Sequence, residues 1–269
     1  MKIKLFLIFF CVCSGYRMQA AEVDTLQIRS VSMNKEVQAV VILPDQAATQ
    51  SCPVIYLLHG YSGNARTWLG IKPDLPAIAD SKGIIFVCPD GKNSWYWDSP
   101  LVPDYKYETF ISSELVGYID THYPTIRDKE GRAITGLSMG GHGALWNAIR
   151  HKEVFGAAGS TSGGVDIRPF PDNWEMSIQL GEQTKYPQNW EEYTVINQVH
   201  LLSKGDLALI IDCGEEDFFL EDNQELHRKL LEHEIDHDFI TRPGGHDNFY
   251  WNNSIDYQIL FFEKYFYKK

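Results

Sequence analysis

The chain has 269 residues, 44% of them hydrophobic, and a formal charge of −12, which is enough apolar material for one large core. So acidic a composition excludes nucleic acid, anionic membranes and polyanions as main partners and favours a neutral ligand. No repeat or low-complexity tract interrupts the chain, so the expectation is a 1–20 signal peptide followed by a single domain over 21–269.

The first residues read as an export signal. Met1-Lys-Ile-Lys4 is a positive start, Leu5 to Val12 is an apolar run too short to span a bilayer, and Ala20 and Ala21 offer a small-residue cleavage site. Met18 or Gln19 stands three residues before the cut, where a small residue is usual. Cys13 before Ser14-Gly15 permits a lipoprotein anchor, but Phe10 fits that processing motif poorly. Export to the periplasm or medium is expected, with no stable membrane partner unless Cys13 is lipidated. Removing the first twenty residues takes away Lys2, Lys4 and Arg17 and no acid, moving the charge from −12 to −15.

Val37 to Leu43 and Pro53 to Leu58 are predicted strands by β-branched and apolar content, and the second runs into the turn-rich loop His59 to Asn64. Pro73 to Ser81 is a predicted helix, and Gly83 to Cys88 a continuous apolar strand suited to a sheet covered on both faces. An aromatic loop, Asn93 to Asp98, precedes helical spacing over Tyr107 to Tyr123. Arg132 to Thr135 is a short strand, Gly140 to Arg150 a helix, and Val154 to Ser160 another strand. From Gly163 to Leu202 prolines and aromatics break the pattern, predicting a partly helical insertion over the strand ends. A strand at Leu207 to Asp212, a helix at Asn223 to Glu234, a strand at Asp238 to Arg242 and a helix at Phe249 to Tyr267 complete the alternation. Such alternation predicts a mostly parallel sheet with helices on both faces and ligands at the strand C-terminal ends.

Gly136-Leu-Ser138-Met-Gly140 sits between that short strand and helix. G-x-S-x-G in this context is a nucleophile elbow, which lifts the serine oxygen above the sheet at a helix N-terminus. A serine hydroxyl needs a base and the base needs an orienting acid, in the chain order Ser, acid, His. Asp212, Glu215, Glu216 and Asp217 follow one buried strand, and His246 lies in a glycine-rich loop after the last strand. His246 is therefore the candidate base. His59 precedes the serine and is expected to brace the Gly60-Tyr61 turn, and His142 on the elbow helix is read as structural. For the oxyanion, the candidate donors are the backbone amides of Met139 and Tyr61. Trp95, Trp97, Trp174 and Trp190 lie near the catalytic edge or in the insertion and are candidates to line an acyl or sugar pocket; burial in the core is the alternative for each.

The blocks Leu58-His-Gly-Tyr-Ser-Gly-Asn64 with Trp68, Cys88-Pro-Asp-Gly91 with Asn93-Ser-Trp95, Gly136-Leu-Ser-Met-Gly-Gly141, Cys213-Gly-Glu-Glu-Asp-Phe218 and Gly244-Gly-His246 resemble the esterase D-like α/β-hydrolases. That family includes the feruloyl and acetylxylan esterases of carbohydrate esterase family 1, tributyrin-type esterases, S-formylglutathione hydrolases and mycolyltransferases. The resemblance runs from about Val37 to the C-terminus. It implies an α/β-hydrolase fold with Ser138 as nucleophile, Asp217 as acid, His246 as base, and Tyr61 and Met139 as oxyanion amides. The resemblance selects Asp217 over Glu215 and Glu216. It implies an ester substrate, small or polysaccharide-borne, and no cofactor or metal. Acetyl or feruloyl esters of plant polysaccharide rank first, short-chain acyl esters second, and acyl transfer to an alcohol third.

Two readings of other classes compete. His233-Glu-Ile-Asp-His237 matches the H-E-x-x-H zinc signature, with His246 as a conceivable third ligand. That chemistry needs both histidines on one helical face, whereas the helix is expected to end near Glu234. A hydrolase fold that only binds glycans or lipids is the other, opposed by the complete set of catalytic residue types. The sequon Asn252-Asn-Ser254 lies on the predicted last helix and is read as coincidence.

Overall fold

The computed structural model describes residues 21–267. The predicted signal and Cys13 lie outside the described residues. In chain order the main elements are β1 (Glu22–Ser30), β2 (Lys35–Leu43), β3 (Val54–Leu58), α1 (Thr67–Ile71), α2 (Leu75–Lys82) and β4 (Ile85–Pro89). Then come α3 (Tyr107–Thr109), a π-helical turn over Phe110–Leu115 that runs straight into α4 (Val116–His122), β5 (Arg132–Gly136), α5 (Met139–Arg150) and β6 (Ala157–Thr161). The insertion carries α6 (Met176–Leu180) and α7 (Pro187–Glu192), and β7 (Ala208–Gly214), α8 (Leu220–Glu232), β8 (Asp238–Arg242) and α9 (Asn248–Phe266) close the chain.

The strands form one sheet in the order β1-β2-β4-β3-β5-β6-β7-β8. β1 and β2 are antiparallel to their neighbours and the rest pair in parallel. Burial on both faces follows from the period of two along each strand. Val54, Tyr56 and Leu58 of β3 face one core with Leu145 and Trp146 of α5 and Leu226 of α8. Ile55 and Leu57 face the other, with Trp68 of α1, Ala79 of α2 and Ile259 of α9.

β1 was not expected from the sequence. Its residues are largely polar and exposed, and it pairs with β2 alone, so an edge strand lacks the apolar run that marks the central ones. The predicted helix over Tyr107 to Tyr123 is continuous but widens to π geometry through Phe110–Leu115. α8 ends at Glu232, and Glu234 has φ of +58° in the turn that leads to β8. His233 and His237 therefore do not share a helical face one turn apart, and His237 Nε2 instead meets His227 Nδ1 at 2.7 Å. The H-E-x-x-H geometry is not formed. Asn252 and Ser254 lie on α9, where Ser254 is buried.

Among the described residues, no helix is long and apolar enough to cross a membrane. Cys52, Cys88 and Cys213 are free and buried. Burial pushes all three thiols up, that of Cys88 to about 12.

Candidate active site

The strands β3, β5 and β7 end on one edge of the sheet, and the loops that follow them meet there. At the end of β5 the chain turns through Ser138, whose backbone has φ 56° and ψ −120°. A serine held there stores strain, which the surrounding backbone must fix in place. Ser138 N donates to Thr161 O at 3.0 Å, and Ser138 O accepts from His142 N at 3.1 Å. The flanking glycines are required because the turn is so close to β3. A Cβ on Gly136 would lie 2.5 Å from the carbonyl carbon of Gly140, and one on Gly140 would lie 2.6 Å from His59 O.

β7 and β8 deliver the other two groups. Glu215 N donates to Arg242 O and Glu216 N to Gly244 O, each at 2.9 Å, lacing the loop after β7 to the loop after β8. This lacing presents Asp217 to His246. His246 Nδ1 lies 2.9 Å from Asp217 Oδ2 and 3.1 Å from Oδ1, and its Nε2 lies 2.9 Å from Ser138 Oγ. The Asp217 carboxylate is fully buried and also accepts from Phe219 N at 2.9 Å. Because a carboxylate accepts, Nδ1 carries the proton and Nε2 is left to accept from the serine hydroxyl. Of the other acids on this stretch, Glu215 and Glu216 are exposed. Asp212 is buried but engaged elsewhere, accepting from Thr161 Oγ1 and Ser254 Oγ at 2.7 Å. Burial pushes its carboxyl up against those hydrogen bonds.

Among the described residues, neither the Met139 amide, at the first position of α5, nor the Tyr61 amide donates to a protein acceptor. Both belong to segments beside Ser138, where helix N-terminal amides and a turn can receive negative charge. His59 braces that turn as expected: its Nδ1 donates to Gly60 O at 2.7 Å and its Nε2 accepts from Gly91 N at 2.9 Å. His142 is buried, with Nδ1 donating to Gly164 O and Nε2 accepting from Trp97 Nε1, both at 2.8 Å. It belongs to the packing, as read from the sequence.

A cleft of about 560 Å³ opens over Ser138 and His246. Trp174 lines it, as does Tyr61. The other three tryptophans do not. Trp95 and Trp97 stack at 5.6 Å in the core under the cleft, and Trp190 is buried with its Nε1 donating to Gly181 O at 2.9 Å. Their indoles are consumed by packing because α5 and the insertion close over them. The sequence reading missed Phe218 and Trp251, which line the cleft and pack against the His246 ring at centroid distances of 4.4 and 5.0 Å. The signal for both was their place, one residue after Asp217 and five after His246. Phe218 also stacks on Trp174 at 5.9 Å.

Residues 30–262 match the family model named Esterase ("Putative esterase"). The chain belongs to the Esterase family. Its relatives include an acetyl esterase of Caldicellulosiruptor saccharolyticus, 26% identical over 220 residues that span 77% of this chain and 82% of that one. They also include the S-formylglutathione hydrolase of Mus musculus, 26% identical over 219 residues, or 73% of this chain and 76% of the other. The solved structure of a ferulic acid esterase superposes with a TM-score of 0.79 at 28% identity, covering 92% of this chain and 99% of that one. The fold is that of the α/β-hydrolase esterases, and this esterase is a serine carboxylic ester hydrolase.

Proposed function

We propose that this esterase is exported and removes acetyl or feruloyl groups from plant polysaccharide, with Ser138, His246 and Asp217 as its triad. The observation that carries the reading is the unbroken relay from Asp217 through both nitrogens of His246 to Ser138 Oγ. Ser138 Oγ attacks the ester carbonyl as His246 Nε2 takes its proton. Asp217 keeps Nδ1 protonated and stabilises the imidazolium. The amides of Tyr61 and Met139 hold the oxyanion. As the tetrahedral intermediate collapses, the alkoxide leaves with the proton from His246, giving the acyl-serine. Water then attacks that carbonyl, again losing its proton to His246, and the acid is released with the serine restored.

The substrate class is supported by the relatives named for acetyl and ferulic esters and by the flat aromatic faces of Trp174, Phe218 and Trp251 around the cleft. Export is supported by the Met1 to Ala21 pattern in the sequence.

The test is initial-rate hydrolysis of p-nitrophenyl acetate, p-nitrophenyl butyrate, methyl ferulate and acetylated xylan, by wild type and Ser138→Ala, with and without chelator. Activity lost by about 10⁴-fold or more in the variant and indifferent to chelator is the expected result. Preference for acetylated xylan or methyl ferulate supports the substrate reading. Preference for butyrate moves it to short-chain esters, and full turnover by Ser138→Ala removes the triad assignment.

A further inference from the structure

The loop that presents the Tyr61 amide is tied to the insertion by side chains that take no part in the relay. Ser62, next to Tyr61, has φ of +62°, an uncommon conformation for a residue with a side chain. Its N–H donates to Asn93 Oδ1 at 2.9 Å. Asn93 Nδ2 donates to Glu175 Oε2 at 3.0 Å, and the Asn93 backbone oxygen accepts from Gln179 Nε2 at 2.7 Å. Burial, with the Glu175 carboxylate nearby, pushes the Tyr61 hydroxyl up. The carboxamide can be oriented in one way only: Ser62 N–H must donate and the carboxylate must accept, so Oδ1 faces the loop and Nδ2 faces the insertion. Glu175 and its neighbour Trp174 both have positive φ, at +56° and +49°, so the insertion is itself bent to bring this carboxylate to the loop.

We infer that Asn93 and Glu175 are positioning residues that clamp the Gly60–Ser62 turn and thereby aim the Tyr61 amide at the oxyanion. The inference rests on the reading of Tyr61 as an oxyanion donor. It gives the insertion a role in turnover as well as in shaping the cleft. A peptide that swings by a fraction of an ångström loses a donor that must meet charge at hydrogen-bond distance. The substrate-lining Trp174 and the clamp residue Glu175 are adjacent, so a substrate pressed on the indole acts on the same segment that holds the loop.

The experiment compares kcat and KM on p-nitrophenyl acetate between pH 6 and 8 for Asn93→Ala, Asn93→Asp, Glu175→Gln and the double Asn93→Asp/Glu175→Gln. Asn93→Ala is expected to lower kcat about 10- to 100-fold, below the full loss of a donor, with KM within about threefold. Asn93→Asp removes the donor to Glu175 and sets a second carboxylate against it, so its kcat is expected to fall at least as far as that of Asn93→Ala. Adding Glu175→Gln exchanges donor and acceptor between the two side chains and is expected to restore most of the lost kcat, a recovery that a merely structural role does not produce. Glu175 is exposed, so Glu175→Gln spares the core. If the Asn93 variants do not fold, Glu175→Ala, which removes the acceptor that a glutamine would keep, decides: an unchanged kcat overturns the inference, and a lowered kcat at unchanged KM supports it. The inference is also overturned by wild-type kcat in Asn93→Ala, or by a double variant no better than Asn93→Asp. Those results with an inactive Ser138→Ala would leave the triad standing and remove the clamp alone, whereas an active Ser138→Ala removes the reading beneath it.

Discussion

The loop that carries His246 and the buried layer around His142 each bring an imidazole close to the elbow, and the two rings are held in opposite ways. Both donate from Nδ1, His246 to a carboxylate and His142 to the Gly164 carbonyl. They differ at Nε2. In His246 that nitrogen faces a hydroxyl that can give up a proton. In His142 it faces the indole N–H of Trp97, which can only donate and never surrenders its proton at working pH. His142 also packs in T-shaped contact against the stacked pair Trp95 and Trp97, at centroid distances of 5.3 and 5.2 Å. What makes a histidine a base is therefore the group opposite its second nitrogen and the carboxylate behind its first, more than its nearness to the serine.

The largest expected effect comes from removing the carboxylate that sets the His246 site apart from the His142 site. Asp217→Asn keeps the shape but presents an N–H to Nδ1, favouring the wrong tautomer, and kcat should fall about 10⁴-fold with little change in melting temperature. A variant retaining a tenth of wild-type kcat would break the comparison. Next in size is the acid response of His142, which burial lowers from 6.5 to about 4. The unfolded chain takes up the proton first, so stability is complete above 6.5 and is lost as pH falls towards 4, by on the order of 3 kcal/mol. Urea unfolding of wild type and His142→Gln at pH 7.5 and 4.5 checks this. The two should converge or cross at the lower pH, and parallel losses would sink the assignment. Smallest is Trp97→Phe, which leaves His142 Nε2 buried and unpaired and should cost about 1–3 kcal/mol of stability. Its kcat at saturating ester should stay at the wild-type value, and a collapse of turnover in a folded variant would mean that this layer does more than pack.

The sharp turn at Ser138 was legible in the sequence because a five-residue pattern and its flanks mark it, and the placement of Asp217 and His246 after strands was legible from the apolar runs before them. A Cβ on Gly136 would meet Gly140 and one on Gly140 would meet the end of β3, so the pentapeptide itself marks the turn, and the strand before and helix after are marked by composition. The choice of acid was not legible from spacing. Asp217 is set apart from its exposed neighbours by the backbone pairing of Glu215 and Glu216 with the loop after β8, a contact across 27 or more residues of chain. The tryptophans failed for a similar reason. Whether an indole lines a cleft or fills a core depends on which distant segment covers it, and only Trp174 is left at the surface of the insertion. Edge strand β1 was invisible because it lacks the apolar run of the central strands, and the widened turn at Phe110–Leu115 because it leaves the helical apolar spacing in place.

The three buried cysteines carry a practical consequence. Cys88 and Cys213 are sealed in the sheet, Cys52 is buried just before β3, and burial suppresses the ionisation of all three, so the described part of the chain offers reagents no ready thiolate. A cysteine introduced on the exposed rim, at Ile178 for example, would then be the preferred point of attachment for a fluorophore. That probe would report on the surroundings of the insertion in an enzyme whose native cysteines are left untouched.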